Sequence, residues 1–203
     1  VYKRQADKLG REFYEMCQKS NPDFLMVGEG CYDLQSQYYG TYTRADYWHE
    51  PVLRYIDPTV PIACAVIDHN DLNHVNMCLA DRYAMSYEVR NFKGHLGEFP
   101  RVMAYGRKVD NLRRRYADFL WNGEFLDVLG ATVKGDNIRY TVFRNLKNGK
   151  KAVVVYNVDT KKANTASVSI DGSSAPLVMA SPEKPAPAKF TGAVTLGPQS
   201  AVV

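Results

Sequence analysis

The chain has 203 residues, of which 45% are hydrophobic, and a formal net charge of +4. This content is enough for one well-packed core and a second, smaller one. No stretch approaches the ~18 consecutive apolar residues that a membrane-spanning helix needs, and the mild net charge predicts no nucleic-acid partner. Positions 134–203 hold ten Lys and Arg against four Asp and Glu, a shift that favours a domain boundary near that point.

The N-terminal segment combines an unusual basic start with a predicted helix. Residues 1–5, Val-Tyr-Lys-Arg-Gln, match the translation of a sequencing-library adaptor, so we interpret them as an artefact and expect the gene to continue upstream. The cellular location is therefore left open, with a secreted or periplasmic protein as one option. Residues 6–19 have the spacing of a helix with one apolar face. The side chains of that face are Leu9, Phe13, Met16 and Cys17.

A short apolar run over residues 24–27 leads directly into Glu29, which stands between Gly28 and Gly30. The run shows no alternation of apolar and polar residues, which predicts a strand buried on both faces of a parallel sheet. The C-terminal ends of such strands carry the chemistry of α/β barrels. Glu29 is therefore a candidate catalytic carboxylate. An acidic residue at the start of an ordinary loop is the alternative, and the local pattern does not separate the two.

Residues 32–55 form a long polar segment that is rich in aromatic side chains and has no clear periodicity. A long loop inside a compact domain is usually functional. Aromatic rings among polar groups suit stacking on sugar rings, which have apolar faces and hydroxyl edges. Tyr32 and Trp48 are the candidate substrate-binding residues. The alternative is a tyrosine-rich loop that simply packs over the fold.

A second apolar run, residues 62–67, again ends in polar side chains, among them Asp68, His69 and Asp71. Parallel strands place their C-terminal ends at the same edge, so these side chains are expected to converge with the first acidic strand end. A helix is predicted over residues 71–89. Asp71 is a candidate substrate ligand, and capping of that helix is an equally open alternative.

Pro100 begins another predicted helix that runs to Leu120. The run Arg113-Arg114-Arg115 lies within it and is predicted to be a solvated face. The cysteines and histidines of the chain show no spacing typical of metal ligands. The sequence therefore predicts no metal site and no cofactor, and the cysteines are expected to be small buried hydrophobic residues.

From about Thr132 the pattern changes to short alternating strands separated by turns. Ile138, Tyr140 and Val142 alternate with more polar residues, and Asn148-Gly149 marks a hairpin turn before residues 152–156. Further short strands are expected around 168–170, 177–179 and 193–196. The pattern predicts an antiparallel β-sandwich of roughly seven strands.

Strands that end in carboxylates, a closing helix and a small β-sandwich resemble, in this order, the C-terminal part of a glycoside hydrolase of the α-amylase-like (β/α)8 type. Residues 24–29 resemble the strand that delivers the general-acid Glu, and residues 66–71 resemble the later Asn-His-Asp motif with its order changed. Residues 112–125 resemble the last barrel helix and the entry to the sandwich. The resemblance implies a partial (β/α)8 TIM barrel over residues 6–128, followed by a β-sandwich domain over 129–203.

This resemblance implies hydrolysis of O-glycosidic bonds in an oligo- or polysaccharide, which takes two carboxylates. Glu29 is then the general acid/base. Asp68 and Asp71 bind sugar hydroxyls or stabilise positive charge, and His69 donates a hydrogen bond to substrate. The nucleophile is expected upstream of this chain, which should be inactive alone.

Fold alone does not settle function, so a non-catalytic carbohydrate-binding or structural barrel protein is the alternative. A carbohydrate isomerase is a third hypothesis, and metal ligands on neighbouring strands would favour it.

Overall fold

The computed structural model describes residues 2–29, 41–43, 54–55, 58–67, 71–88, 94–173 and 176–203 of a mixed α/β chain. The helices are α1 (Tyr2–Ser20), α2 (Leu72–Ala80), α3 (Pro100–Arg115) and α4 (Ala117–Leu120), with a 3₁₀ turn at Leu96–Glu98. The strands are β1 (Val27–Glu29), β2 (Thr41–Thr43), β3 (Ala63–Ala65), β4 (Ala84–Ser86), β5 (Glu124–Phe125), β6 (Ala131–Lys134), β7 (Ile138–Arg144), β8 (Lys151–Asn157), β9 (Asn164–Ile170), β10 (Val178–Met179), β11 (Ala188–Lys189), β12 (Ala193–Leu196) and β13 (Ala201–Val202).

The strands of the N-terminal half form parallel pairs. β1 pairs with β2, and β3 pairs with β4 across the helix α2, which makes β3–α2–β4 a βαβ unit. β2 also contacts β3, so the four strands follow one another in chain order. The described residues form no closed barrel. The structure thus shows a mixed α/β fold, and the partial (β/α)8 barrel stays a prediction.

Several elements of this half differ from the sequence-based expectation. The helix predicted over residues 71–89 ends at Ala80, because Arg82 adopts a left-handed φ of 57° and the chain turns into β4. The Thr141 hydroxyl donates to the carbonyl of Ala80 at 2.7 Å and satisfies that helix end. The segment predicted as a loop over residues 32–55 contains β2, which is too short to show a periodic pattern.

The C-terminal half consists mainly of two antiparallel sheets that pack face to face, with strand orders β12-β9-β6 and β13-β8-β7-β5. Their inner side chains form one apolar cluster, whose buried members are Ala131, Val142, Val153, Val155, Ala166, Leu196 and Val202. The predicted strands around 138–143, 152–156 and 193–196 are confirmed. The turn at Asn148-Gly149 is also present, with Gly149 at a φ of +70°.

Strand β8 joins this sandwich to the helices because both of its faces are buried. Val153 and Val155 point into the cluster between the sheets, whereas Val154 and Tyr156 belong to a larger core that includes α2 and α3. Successive residues of a strand point to opposite faces, so one apolar strand serves two layers. The N-terminal and C-terminal halves therefore share a core.

The beginning of the chain is more exposed than its pattern predicts. Leu9, Phe13 and Met16 on α1 are 67%, 48% and 58% exposed, and Val27 on β1 is 51% exposed. An edge contact between the rings of Phe13 and Phe24, with centroids 6.2 Å apart, links α1 to the approach to β1. The expectation that β1 is buried on both faces is wrong for the described residues, since none of their elements covers this surface.

Buried arginines surround the C-terminal end of α2. Arg113 is 1% exposed and donates to the carbonyls of Cys78 at 2.6 Å and Tyr83 at 2.8 Å, while Arg54 donates to the carbonyls of Asp81 and Arg82, both at 2.9 Å. Cations are favourable at this end of a helix, where carbonyls lack helical partners.

The solvated face predicted for the arginine run is wrong at Arg113, whose guanidinium stacks 4.5 Å from the ring centre of Trp121. It is correct at Arg114 and Arg115, which are exposed. Burial lowers the pKa of the Arg113 guanidinium.

Two of the cysteines behave as predicted. Cys64 on β3 and Cys78 on α2 are buried free thiols. Burial, with the Cys64 thiol beside it, raises the pKa of Cys78 well above its ordinary value, so the thiol stays protonated. Cys17 is free and only partly buried, and Cys31 lies outside the described residues.

Candidate functional site

Glu29 is the last residue of β1, and its backbone lies opposite Thr43 of the parallel strand β2. The structure describes Glu29 through its backbone only. Gly28, directly before it, is buried, which is possible because glycine has no side chain to fit between neighbouring elements. Glu29 therefore stands at the C-terminal end of a parallel strand, although that strand covers Val27–Glu29 and not the predicted residues 24–27. Its catalytic role stays a prediction.

Four other predicted site residues, Tyr32, Trp48, Asp68 and His69, lie outside the described residues. The structure does describe the residues on either side of 68–70, the segment that holds Asp68 and His69. Val66 and Ile67 at the end of the β3 run are fully buried, as the apolar pattern predicts.

Asp71 is the one predicted site residue whose side chain is described, and it caps helix α2. Its backbone is extended, and its Oδ1 accepts a hydrogen bond from the backbone N–H of Asn73 at 2.9 Å. This is the geometry of an N-cap, which satisfies one of the free N–H groups at a helix start. The capping alternative is therefore confirmed, whereas a role in substrate binding stays a prediction.

The same Asp71 oxygen also accepts a hydrogen bond from Nε2 of Gln199, which follows β12 at the far end of the sequence. Gln199 is buried and has a left-handed φ of 51°. Its Oε1 accepts from the Arg101 guanidinium at 3.1 Å, and its backbone carbonyl accepts from Asn76 Nδ2 at 3.0 Å. The turn before β13 is thus held against the start of α2 by side chains from two helices.

Two asparagines of α2 complete this contact. Asn73 Nδ2 donates to the carbonyl of Val158 at 2.9 Å, and Asn76 Oδ1 accepts from the hydroxyl of Tyr105 at 2.7 Å. Burial raises the pKa of Tyr105 well above its ordinary value, so the phenol remains a hydrogen-bond donor. We call Asp71, Asn73, Asn76, Tyr105 and Gln199 the docking cluster.

The docking cluster was not predicted from the sequence, although the sequence contains a signal for it. Asn73 and Asn76 are three residues apart on a helix whose other residues, apart from His74, are apolar, so they share one helix face, and both are buried. Buried amides need hydrogen-bond partners. Such a pair in the sequence indicates a polar contact with another element. It does not identify that element, because the carbonyls that accept from the two amide nitrogens lie more than 80 residues away.

Within the described part of the chain, no group of three or more His, Cys, Asp or Glu side chains is placed to hold a metal ion. Among the same residues, no helix combines the length and apolar character needed to cross a bilayer.

Comparisons with known proteins add one likeness. No protein-family model and no curated protein matches the chain. A solved structure that it resembles is that of a noncanonic maltogenic alpha-amylase, AmyB from Thermotoga neapolitana, with a TM-score of 0.54 and 10% sequence identity. The match covers 95% of this chain and 55% of the amylase chain, so this chain spans about half the length of the protein it matches. At this identity the likeness supports an amylase-like glycoside hydrolase fold.

Proposed function

We propose that this chain is the C-terminal part of a glycoside hydrolase, that Glu29 is the general acid/base of that enzyme, and that the chain alone is inactive. The observation that carries the proposal is the position of Glu29 at the C-terminal end of a parallel strand, in a chain whose fold is similar to that of an amylase. In α/β barrels this end of the strands forms the active site.

The proposed domains are the end of a (β/α)8 barrel over residues 6–128 and a β-sandwich over residues 129–203. The chain order of β1 to β4, with α2 connecting β3 to β4, supports the first. The exposed apolar side chains of α1 support a larger parent protein, since an amphipathic helix normally buries its apolar face. The cluster between the two sheets supports the second domain.

In the proposed mechanism, Glu29 protonates the glycosidic oxygen of the leaving sugar, and a second carboxylate from another part of the parent acts as nucleophile or base. Tyr32 and Trp48 stack on the sugar, and Asp68 and His69 bind its hydroxyls. Asp71 has a restricted role in this proposal. Its Oδ1 is held by Asn73 and Gln199, so only Oδ2 is available to a substrate.

The first test is hydrolysis by the isolated chain on a panel of α- and β-glycosides. We expect no turnover above buffer, because in the proposed mechanism the second carboxylate belongs to another part of the parent enzyme. Turnover that co-purifies with the chain and disappears in Glu29→Gln would overturn the proposal of an inactive part while retaining Glu29 as catalytic.

The second test uses the proposed parent enzyme. Removing a general acid costs about 10² to 10⁴ in rate. Glu29→Gln should show this loss in kcat/KM on natural glycosides and a much smaller loss in kcat/KM on a dinitrophenyl glycoside, whose leaving group needs no protonation in the first step. Glu98→Gln, which changes an exposed glutamate, is the matched control and should retain wild-type rates. Equal losses on both substrates, or activity within threefold of wild type on natural glycosides, would remove Glu29 from the acid role.

A longer protein that binds oligosaccharides but hydrolyses none of them would instead support the non-catalytic carbohydrate-binding alternative.

A further inference from the structure

The sandwich contains a cavity of about 530 Å³ that lies far along the chain from Glu29 and has no part in the proposed hydrolysis. Its volume is in the range of small-molecule sites, roughly 300–1,000 Å³. Strands from both sheets and the β10–β11 hairpin supply its walls. The main apolar side chains of these walls are Val153, Val155, Val168, Ile170, Met179 and Val194.

The walls are continuous rows of inward-facing side chains that become more exposed towards one end. On β9, Ala166, Val168 and Ile170 share a face because residues two apart in a strand point the same way. Ala166 is fully buried, whereas Val168 and Ile170 are only partly buried. The apolar rows are therefore open to solvent beside the β7–β8 turn. Wetting of such walls is unfavourable, and an apolar occupant would remove it.

The ammonium group of Lys151 lies at this open end. Lys151 has the same strand parity as Val153 and Val155, so it continues their row. Its Nζ donates to the carbonyls of Gly130 at 3.3 Å and Asp171 at 3.1 Å, which lie at the ends of the opposite sheet. Both partners are neutral carbonyls. Among the described residues no carboxylate forms an ion pair with Lys151, and a lysine ammonium has a third donor.

We propose that this cavity binds a single-chain alkyl carboxylate of medium length, such as a fatty acid anion. The chain lies along the inward rows of β8 and β9, and the carboxylate accepts a charge-assisted hydrogen bond from Lys151 Nζ. Lys150, on the adjoining turn, adds positive charge at the entrance. A sugar suits the cavity less well, because its many hydroxyl groups would face apolar walls.

Isothermal titration calorimetry of the full chain with hexanoate, octanoate and decanoate, each below its micelle concentration, tests whether the apolar walls bind the alkyl chain. We expect one site per chain and an affinity that rises about fourfold per added methylene. Ile170→Trp, which fills the cavity, should abolish binding; if it does not fold by circular dichroism, Val168→Phe replaces it. No binding, several sites per chain, or binding that survives cavity filling would overturn the proposal.

Lys151→Met tests the headgroup, because methionine keeps the apolar stem and removes the charge. It should weaken decanoate binding tenfold or more and leave decanol binding unchanged. Lys134→Met is the matched control, since Lys134 is exposed on the outer face of β6, and it should have no effect on either ligand. Decanol binding as tightly as decanoate to the wild type, or an equal effect of both lysine substitutions, would refute the carboxylate class.

Discussion

The hydrogen bond between Asp71 and Gln199 joins residues that are 128 positions apart, and it can be tested by measuring its contribution to stability. Asp71→Ala removes the N-cap of α2, which costs about 1 kcal/mol. It also leaves the buried amide of Gln199 without its acceptor, at about 1–2 kcal/mol. We therefore expect a loss of about 2–3 kcal/mol in the free energy of unfolding. Asp71→Asn keeps an oxygen acceptor at the same position and should lose less than about 1 kcal/mol.

A double-mutant cycle separates the free energy of the Asp71–Gln199 hydrogen bond from that of the N-cap of α2. Unfolding in urea, followed by far-ultraviolet circular dichroism, would be measured for Asp71→Ala, Gln199→Ala and the double variant. Because both single substitutions remove the same hydrogen bond, we expect a coupling free energy of about 1 kcal/mol. Asp136→Ala changes an exposed aspartate in a turn and serves as control for lost charge. Losses that add within about 0.3 kcal/mol would refute the contact between the two halves.

Three further predictions concern other parts of the structure. Arg113→Met should lose about 3 kcal/mol of stability because the carbonyls of Cys78 and Tyr83 lose their donor, whereas the exposed Arg115→Met should stay within about 0.5 kcal/mol of wild type in the same urea assay. Phe143→Ala empties a fully buried site and should cost about 3–5 kcal/mol by thermal unfolding; a cost under about 1 kcal/mol, as expected for the exposed Leu146→Ala, would contradict the packing of β7. Hydrogen bonds from the backbone N–H groups of Lys161 and Lys162 hold the pKa of Asp159 below its ordinary value. The ionised Asp159 carboxylate therefore stabilises the fold above its unfolded pKa of about 3.9, and this stabilisation is lost as pH falls through the folded pKa. The difference in melting temperature between wild type and Asp159→Asn should therefore shrink as pH falls from about 5 to about 2, and a constant difference would contradict it.

The sequence predicts the C-terminal half well because its signals are local. Alternation over residues 138–143, the Asn148-Gly149 turn and the apolar run after it each depend on neighbouring residues. The end of α2 escaped prediction because distant groups determine it. Thr141 and Arg113 satisfy carbonyls near that end, and neither is adjacent to it in sequence. Arg113 was wrongly predicted to be exposed for the same reason. The local sequence of an arginine buried among distant carbonyls looks the same as that of an exposed arginine.

The candidate site was predictable only in part. The position of Glu29 at a strand end follows from an apolar run and two glycines, which are local features. The double role of Asp71 is not local: its capping role can be predicted from its place before a helix, but its contact with Gln199 depends on how the sandwich packs on α2. A carboxylate at a strand end is thus compatible with both a chemical and a structural role, and packing decides between them.

This double role determines how Asp71 must be studied in a parent enzyme. Asp71 precedes α2 directly and is tied to the sandwich through Gln199, so Asp71→Ala would weaken the contact between the two halves whether or not Oδ2 touches substrate. A loss of activity in that variant therefore carries no information about catalysis by itself. Gln199→Ala provides the missing comparison, because it breaks the same contact and leaves the carboxylate in place. If Asp71 acts on substrate, Asp71→Asn should lose activity while remaining folded, and Gln199→Ala should lose stability with a smaller effect on rate. If both variants lose rate in proportion to stability, Asp71 acts through packing alone.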